Sequence, residues 1–332
     1  MAHALQYRQF DFYAKTLHHR ELVDRYLAGK AIAPINVEID LTNGCNHRCS
    51  FCQWADYIGA NRVSLPADLV RRTLDELKSF GTKAITWTGG GEPTLHKSFH
   101  ELIGYSHTIG IENGLLTNGS RIDPAHDDEL LDWMKFIRVS MAGGDRESYR
   151  AVQGRDDFER VLANLARLVS ARRARGGGAD IGVAFLVNRE NIRSLQPFAV
   201  RLADIGVDYL QVREDMFDDA DAQAWWRDEV VMRAREAEAH TVDRGLRILG
   251  AAYHEAQQSL DYPRICHAHH FVTAITADGN VRFCKNTRDK PEFAIGNLHR
   301  QGFTEIWRGS ATARALEARI TPRSCATFCK NM

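Results

Sequence analysis

The chain has 332 residues, is 44% hydrophobic and 26% charged, and balances 43 basic against 43 acidic side chains for a formal net charge of zero. That composition suits one large globular domain plus a smaller one, and it gives no electrostatic case for nucleic acid or an anionic membrane surface. No apolar run approaches the roughly 20 residues that span a bilayer, and the first residues, Met-Ala-His-Ala-Leu-Gln-Tyr-Arg, lack the apolar core of a signal peptide. The expectation is a cytoplasmic protein with no membrane or nucleic-acid partner, in which clustered cysteines read as metal ligands before disulfides.

Residues 1–34 read as a helical lead-in, too short to fold a separate domain. A strand is expected at Asn36–Leu41, then a cysteine-rich loop, then a helix over Ser64–Phe80 with Leu65, Leu69, Leu74 and Leu77 on one stripe and Ser64 as N-cap. Further strands are expected at Ala84–Thr88, Glu112–Thr117, Phe136–Met141, Ile181–Val187 and Tyr209–Arg213, each short, rich in β-branched or aromatic residues and bounded by Gly, Asn or Asp. Helical patterns fall at Phe158–Arg173 and Ile192–Ile205; the run Arg172-Arg173-Ala-Arg175 reads as the solvated end of the first of these. A long helical region covers about Ala220–Leu249. Phe271–Phe283 reads as a hairpin turning at Asp278-Gly279, and Phe303–Ile320 as a short helical piece.

Six β-α units in series predict an α/β fold with a parallel sheet and helices outside it. Six units do not close an eight-unit barrel, so the expectation is a partial (β/α)6 barrel over residues 35–250, followed by a small C-terminal α+β unit over residues 251–332. That last unit has little core of its own, and a metal cluster would supply the missing stability.

All seven cysteines fall into two groups: Cys45, Cys49 and Cys52 within eight residues, and Cys266, Cys284, Cys325 and Cys329. Structural zinc wants four ligands, usually in two pairs, and His47 is too close to the first cysteines to complete a pair. Three thiolates on an iron–sulfur cluster leave one iron open to a small molecule, as chemistry needs. The glycine run Gly89-Gly90-Gly91 ends the second expected strand, so it and the first cysteines share the rim where such sheets carry function.

The Cys-x3-Cys-x2-Cys spacing with Phe51 before the third cysteine, and Thr88-Gly89-Gly90-Gly91-Glu92-Pro93 after the second strand, resemble the radical S-adenosylmethionine (SAM) enzymes. The resemblance implies a [4Fe-4S] cluster on Cys45, Cys49 and Cys52 whose open iron binds SAM. It implies cofactor contacts at Phe51, Gly90, Gly91, Glu92 and Pro93, and, at softer matches, at Asn118, Arg138 and Ser140. The run Tyr149–Phe158 also resembles the segment that follows strand four in that family. Cys266-x12-Gly279-x4-Cys284, with Gly296-Asn297-Leu298 and Glu305-Ile306-Trp307, resembles the C-terminal extension called SPASM in its long form and twitch in its short form. Four cysteines there fit the twitch form, with one fully ligated auxiliary [4Fe-4S] cluster; a structural zinc on the same four residues is the alternative.

The family chemistry is reductive cleavage of SAM to a 5′-deoxyadenosyl radical, fed by a flavodoxin or ferredoxin-type donor, and hydrogen abstraction from the substrate. A closed auxiliary cluster can only pass electrons, which favours oxidation of a secondary alcohol on a sugar, aminocyclitol or nucleoside-type small molecule of antibiotic biosynthesis. Radical decarboxylation, epimerisation, peptide maturation, and a zinc-stabilised binding protein are the alternatives. On the sixth strand Tyr209, Gln211, Arg213 and Asp215 share one face, and Gln211, Arg213 and Asp215 are the candidate catalytic residues, with Arg213 or Asp215 handling a substrate proton. An inward polar layer bridged by water is the equal alternative. Trp54 and Tyr57 are further cavity candidates.

Overall fold

The computed structural model describes residues 18–214, 225–250 and 266–319. In chain order the elements begin with α1 (Arg20–Leu27), β1 (Asn36–Asp40), α2 (Ala55–Ala60), α3 (Ala67–Phe80), β2 (Ala84–Thr88), α4 (Phe99–Thr108) and β3 (Glu112–Thr117). They continue with α5 (Asp127–Trp133), β4 (Met134–Ser140), α6 (Arg146–Gln153), α7 (Phe158–Ala174), β5 (Asp180–Val187), α8 (Leu195–Ile205) and β6 (Tyr209–Glu214). Then follow α9 (Val231–Thr241), β7 (Arg247–Leu249), β8 (Val272–Ile275), β9 (Asn280–Arg282), β10 (Ala294–Asn297), α10 (Phe303–Gly309) and α11 (Ala311–Glu317).

The chain divides into two units, one of residues 1–44, 57–113 and 261–332, the other of residues 45–56 and 114–260. In the first unit β1 pairs in parallel with β2 on one side and with β8 on the other. Strands β8, β9 and β10 then follow antiparallel. In the second unit β4, β5, β6 and β7 pair in parallel. Strand β3 begins in the first unit and ends in the second.

The alternation read from the sequence is what sorts each strand's faces. On β1 Val37 and Ile39 are buried, as are Ile85 and Trp87 on β2 and Leu69, Val70, Leu74 and Leu77 of α3. Each such aliphatic side chain contributes about 1.5–3 kcal/mol by leaving water. Gly81, at φ 111°, ends α3 in the left-handed conformation that favours glycine. The opposite face of β1 carries Asn36, Glu38 and Asp40.

The expected hairpin is present, with Gly279 at φ 82° in its turn. Three expectations are corrected. Ser64 does not cap α3: the helix starts at Ala67 behind Pro66, and Ser64 donates to Thr42 Oγ1 (2.7 Å) in a bridge to the end of β1. The expected helix to Leu249 instead stops at Thr241, after a π-helical turn at Trp226–Val230, and its tail forms β7 beside β6, entered through Gly245 at φ 81°. The piece from Phe303 is two helices, broken at Ser310, whose hydroxyl accepts from Ala313 N (3.1 Å) and starts the second.

Candidate cofactor and metal site

The cysteine loop, residues 45–52, is fastened inside the second unit at two places. Arg48 N donates to Gln153 O (3.2 Å) and Ser50 N to Val152 O (2.8 Å), so the C-terminal turn of α6 carries the loop. Gly154, at φ 65°, ends that helix, and a Cβ there would stand 2.4 Å from Arg48 O. The Gln153 amide bridges Ala142 N, whose proton it accepts at 2.6 Å, and His47 Nδ1, to which it donates at 3.1 Å. His47 Nε2 lies 3.5 Å from Asp157 Oδ2. Burial holds the His47 imidazole below its ordinary value against the pull of Asp157. On the other side Asn118 donates to Asn46 Oδ1 (2.8 Å), and Asn46 donates to Ser120 Oγ (2.8 Å).

Cys45 is exposed and Cys49 and Cys52 half-buried, all three as thiols rather than disulfides. Burial pushes the Cys52 thiol up. Three thiols on a loop held from both sides, with no fourth protein thiol in it, fit a cluster that keeps one metal open. Phe51 and Trp54 are half-buried in the same stretch.

The glycine loop belongs to the first unit and folds back on the end of β1. Gly91 N donates to Thr42 O (3.2 Å) and Glu92 N to Gly44 O (2.8 Å). A Cβ on Gly91 would lie 2.2 Å from Gly44 O, and one on Gly90 2.8 Å from both Asn43 Oδ1 and Ile58 Cγ2. Only glycine permits this backbone approach. Glu92 is buried and accepts from Thr94 N (3.2 Å) and Thr94 Oγ1 (2.6 Å), which caps the turn begun by Pro93. Asn43 Oδ1 is buried without a hydrogen-bond partner. Bare backbone and a spare buried acceptor are what a cofactor with an ammonium group can use.

One face of the second unit's sheet is polar. Register places Arg138 beside Gly182 and Tyr209, and Ser140 beside Ala184 and Gln211. Arg138 Nη1 donates to Gln211 Oε1 (3.0 Å), spanning the two small residues between them. Arg213 lies further along the same face of β6, while Leu210 and Val212 are buried on the other. Asp215 lies outside the described residues. Tyr57, in the first unit, donates to Asp278 Oδ2 in the hairpin turn (3.2 Å).

Cys266 and Cys284 are half-buried thiols on either side of the β8–β9 hairpin; Cys325 and Cys329 lie outside the described residues. Cys284 opens a tight turn in which Thr287 N and Oγ1 donate to its carbonyl (3.1 and 2.7 Å). The turn ends in Arg288, which is buried and clamps β1: Nε reaches Asp40 Oδ2 (2.9 Å) and Nη2 reaches Glu38 Oε2 (2.6 Å). Lys285 Nζ adds a contact to Glu38 at 3.5 Å. Burial pushes the Asp40 carboxyl up against the pull of Arg288, whose guanidinium is held charged between two carboxylates. Sequence reasoning missed this clamp and the anchors Asn46 and Ser120, and reached Gln153 and Gly154 only as part of the Tyr149–Phe158 resemblance. The acidic pair alternating with Val37 and Ile39 was the clamp's one readable signal.

Residues 39–199 match the radical SAM superfamily, and residues 266–331 match SPASM, an iron–sulfur cluster-binding domain. The chain is similar to mycofactocin maturase MftC of Mycolicibacterium smegmatis, 28% identical over 312 residues that cover 89% of this chain and 75% of the relative. Its fold is similar to that of Streptococcus suis SuiB bound to S-adenosylmethionine (TM-score 0.70, 15% identity, 92% of this chain and 73% of SuiB). SuiB bound to its precursor peptide SuiA gives a TM-score of 0.66 at 14% identity, over 92% of this chain and 72% of SuiB. Native anSMEcpe with bound AdoMet gives 0.66 at 16% identity, over 86% and 83% of the two chains. The expected α/β fold with its parallel sheet and C-terminal auxiliary domain, and SAM and [4Fe-4S] clusters as cofactors, are borne out. The chain belongs to the radical SAM superfamily and carries a SPASM-type auxiliary domain.

Proposed function

We propose that this radical SAM enzyme takes a hydrogen atom from a C–H bond of a polar substrate and completes a net oxidation. A secondary alcohol of a sugar, aminocyclitol or nucleoside-type molecule is the first candidate. In this reading residues 35–250 form the cofactor-cleaving body and residues 251–332 the auxiliary-cluster segment, in a cytoplasmic enzyme fed by a flavodoxin or ferredoxin-type donor. Cys45, Cys49 and Cys52 hold the cluster that binds SAM, and Cys266, Cys284, Cys325 and Cys329 hold the auxiliary one. Bound together, these groups supply a carbon-centred radical that removes the hydrogen atom and an acceptor for the electron left behind.

The chain's own residues bind and orient. Gly90 and Gly91 keep backbone within reach of the cofactor, Glu92 and Pro93 fix that loop, and Phe51, Asn118, Arg138 and Ser140 complete the cofactor contacts. Gln211 and Arg213 hold the substrate hydroxyl, and Asp215 or Arg213 handles its proton. The observation that carries the reading is the polar face on which Arg138 bonds Gln211 across Gly182 and Ala184. The Tyr209 ring covers Gly182, where a Cβ would meet it at 2.0 Å, so the groups that would grip a hydroxylated ligand are the charged and amide side chains at the Ala184 end of the row.

A second reading has a specific observation in its favour: the MftC relative is a maturase, and SuiB was solved with a precursor peptide. In that reading the same face takes a peptide side chain. One experiment covers both. Anaerobically reconstituted protein is assayed for 5′-deoxyadenosine release over a panel of sugars, aminocyclitols, nucleosides and short peptides. Release raised at least tenfold by a hydroxylated small molecule, with a ketone product, supports the first reading; the same response to peptides alone replaces it with the second. Colourless protein holding zinc and no iron overturns both.

A further inference from the structure

Beside the auxiliary-domain hairpin lies a group of side chains that the cofactor chemistry does not use. His269 and His270 stand in one turn (Ala268–His270) between Cys266 and β8. His270 Nε2 is 2.9 Å from Glu317 Oε1, and His269 Nε2 is 3.9 Å from the same oxygen. One ligand atom from each of the three residues lies within 4.8 Å of the other two. His269 is 6% exposed, stacks on Phe283 (centroids 4.2 Å apart), and makes no hydrogen bond of ordinary geometry at either ring nitrogen, though the Cys266 backbone pulls on the ring.

The His270–Glu317 pair explains itself as a hydrogen bond, but His269 does not. A buried ring nitrogen without a partner costs about 1–3 kcal/mol, and here the offsets are only the pull of the Cys266 backbone and Glu317 Oε1 at 3.9 Å. Burial first, then the neighbouring His270 and His267, holds the His269 imidazole down at about 3, so it is neutral at physiological pH. Burial also holds His270 below its ordinary value. Two neutral imidazoles and one carboxylate make a donor set with one negative charge, and no cation among the described residues is paired with Glu317. Two histidines and one carboxylate, with a further position open to water, are a zinc ligand set.

We propose that His269, His270 and Glu317 form a binding site for a divalent transition metal, zinc in the first instance, separate from the cysteine-ligated clusters. The ion would satisfy His269 and tie the end of α11 to the turn before β8. Glu317 is eight residues ahead of Cys325, so the tie would fix the point from which the last two cysteines depart. This site stands whether or not the substrate reading above holds.

The test uses the full chain, purified anaerobically and reconstituted with iron and sulfide, then equilibrated with zinc and desalted. Zinc and iron are counted by mass spectrometry, and the zinc ligands are read by X-ray absorption. About one zinc per chain is expected, with nitrogen and oxygen neighbours at about 2.0–2.2 Å and no sulfur at about 2.3 Å. His269→Ala and Glu317→Gln should each lower retained zinc at least tenfold with iron unchanged; Glu317 is half-exposed, so its variant keeps the fold. Sulfur among the zinc neighbours, equal zinc in wild type and variants, or no retained zinc overturns the site. Loss of about four irons in His269→Ala also overturns it, by assigning His269 to the auxiliary cluster.

Discussion

The buried clamp of Arg288 on β1 allows a quantitative test. Replace Arg288 by Met, which keeps the stem and removes the charge. Asp40, fully buried, and Glu38 then lose the guanidinium that stands 2.9 and 2.6 Å from their oxygens. At an effective dielectric of about 20, charges at such separations attract by about 6 kcal/mol, and desolvation of the pair takes back several kcal/mol. Removing one partner restores none of the desolvation cost, so Arg288→Met should lose about 3–5 kcal/mol. Asp40→Asn should lose less, because Arg288 keeps Glu38. In the double variant the second change removes a carboxylate already stripped of its partner, so the two losses should fall short of additive by about 2–3 kcal/mol. Urea midpoints of the anaerobically reconstituted protein measure all four corners of the cycle. Iron content gives a second readout, since the turn that ends in Arg288 starts at Cys284. Single variants that each cost under about 1 kcal/mol and add in the double would refute the reasoning.

Gly91→Ala would drive a Cβ to 2.2 Å from Gly44 O; SAM binding by equilibrium dialysis should weaken at least tenfold, and binding within twofold of wild type counts against the cradle. Gly154→Ala brings a Cβ to 2.4 Å from Arg48 O on a helix end at φ 65°, so reconstituted iron should fall from about eight toward about four per chain, as in Cys45→Ala; full iron in Gly154→Ala would free the loop from that anchor. His269, held at about 3 when folded against an ordinary 6.5, lets the unfolded chain take the proton first. Stability is therefore present above about 6.5 and lost as pH falls below it. Between about pH 8 and about pH 6 the loss is about 1 kcal/mol. His269→Leu, compared without added zinc, should flatten that slope; an unchanged slope assigns the pH dependence elsewhere.

The parallel strands were legible because each is a short β-branched run between turn residues, and β2 and β3 have the bounds read from the sequence. Strand β7 was not, because three residues, Arg247–Leu249, cannot show a period of two. Ser64 was misread for a related reason. Serine before an apolar run is a capping signal, but the hydroxyl found Thr42, on the chain 22 residues earlier, and local patterns do not encode that partner. The motif around Gly296 and Ile306 was recognised as a resemblance, and its physical reason came only with the fold. A Cβ on Gly296 would stand 2.6 Å from Ile306, and Trp307 next to it donates to Ile32 O (2.9 Å).

The cofactor motifs themselves were legible because chemistry fixes residue type and spacing together, while their supports are fixed by distance in space alone. Arg288 meets Asp40 across 248 positions, and His47 meets Gln153 across 106. What the sequence did carry was a demand. Two acids alternating with Val37 and Ile39 on a buried strand require cations, though nothing nearby names them. Within the first unit the demand is met in a way that joins two functions. Asp40 feels the Gly90 backbone of the glycine loop, which lowers its carboxyl, as well as accepting from Arg288 at the end of the Cys284 turn. One carboxylate at the end of β1 therefore sets the backbone of the cofactor motif and the turn of an auxiliary-cluster cysteine. A buried charge pair seldom repays its own desolvation. Its retention here follows from position: a hydrophobic pair of the same volume would fill the space but would exert no pull on the Gly90 backbone.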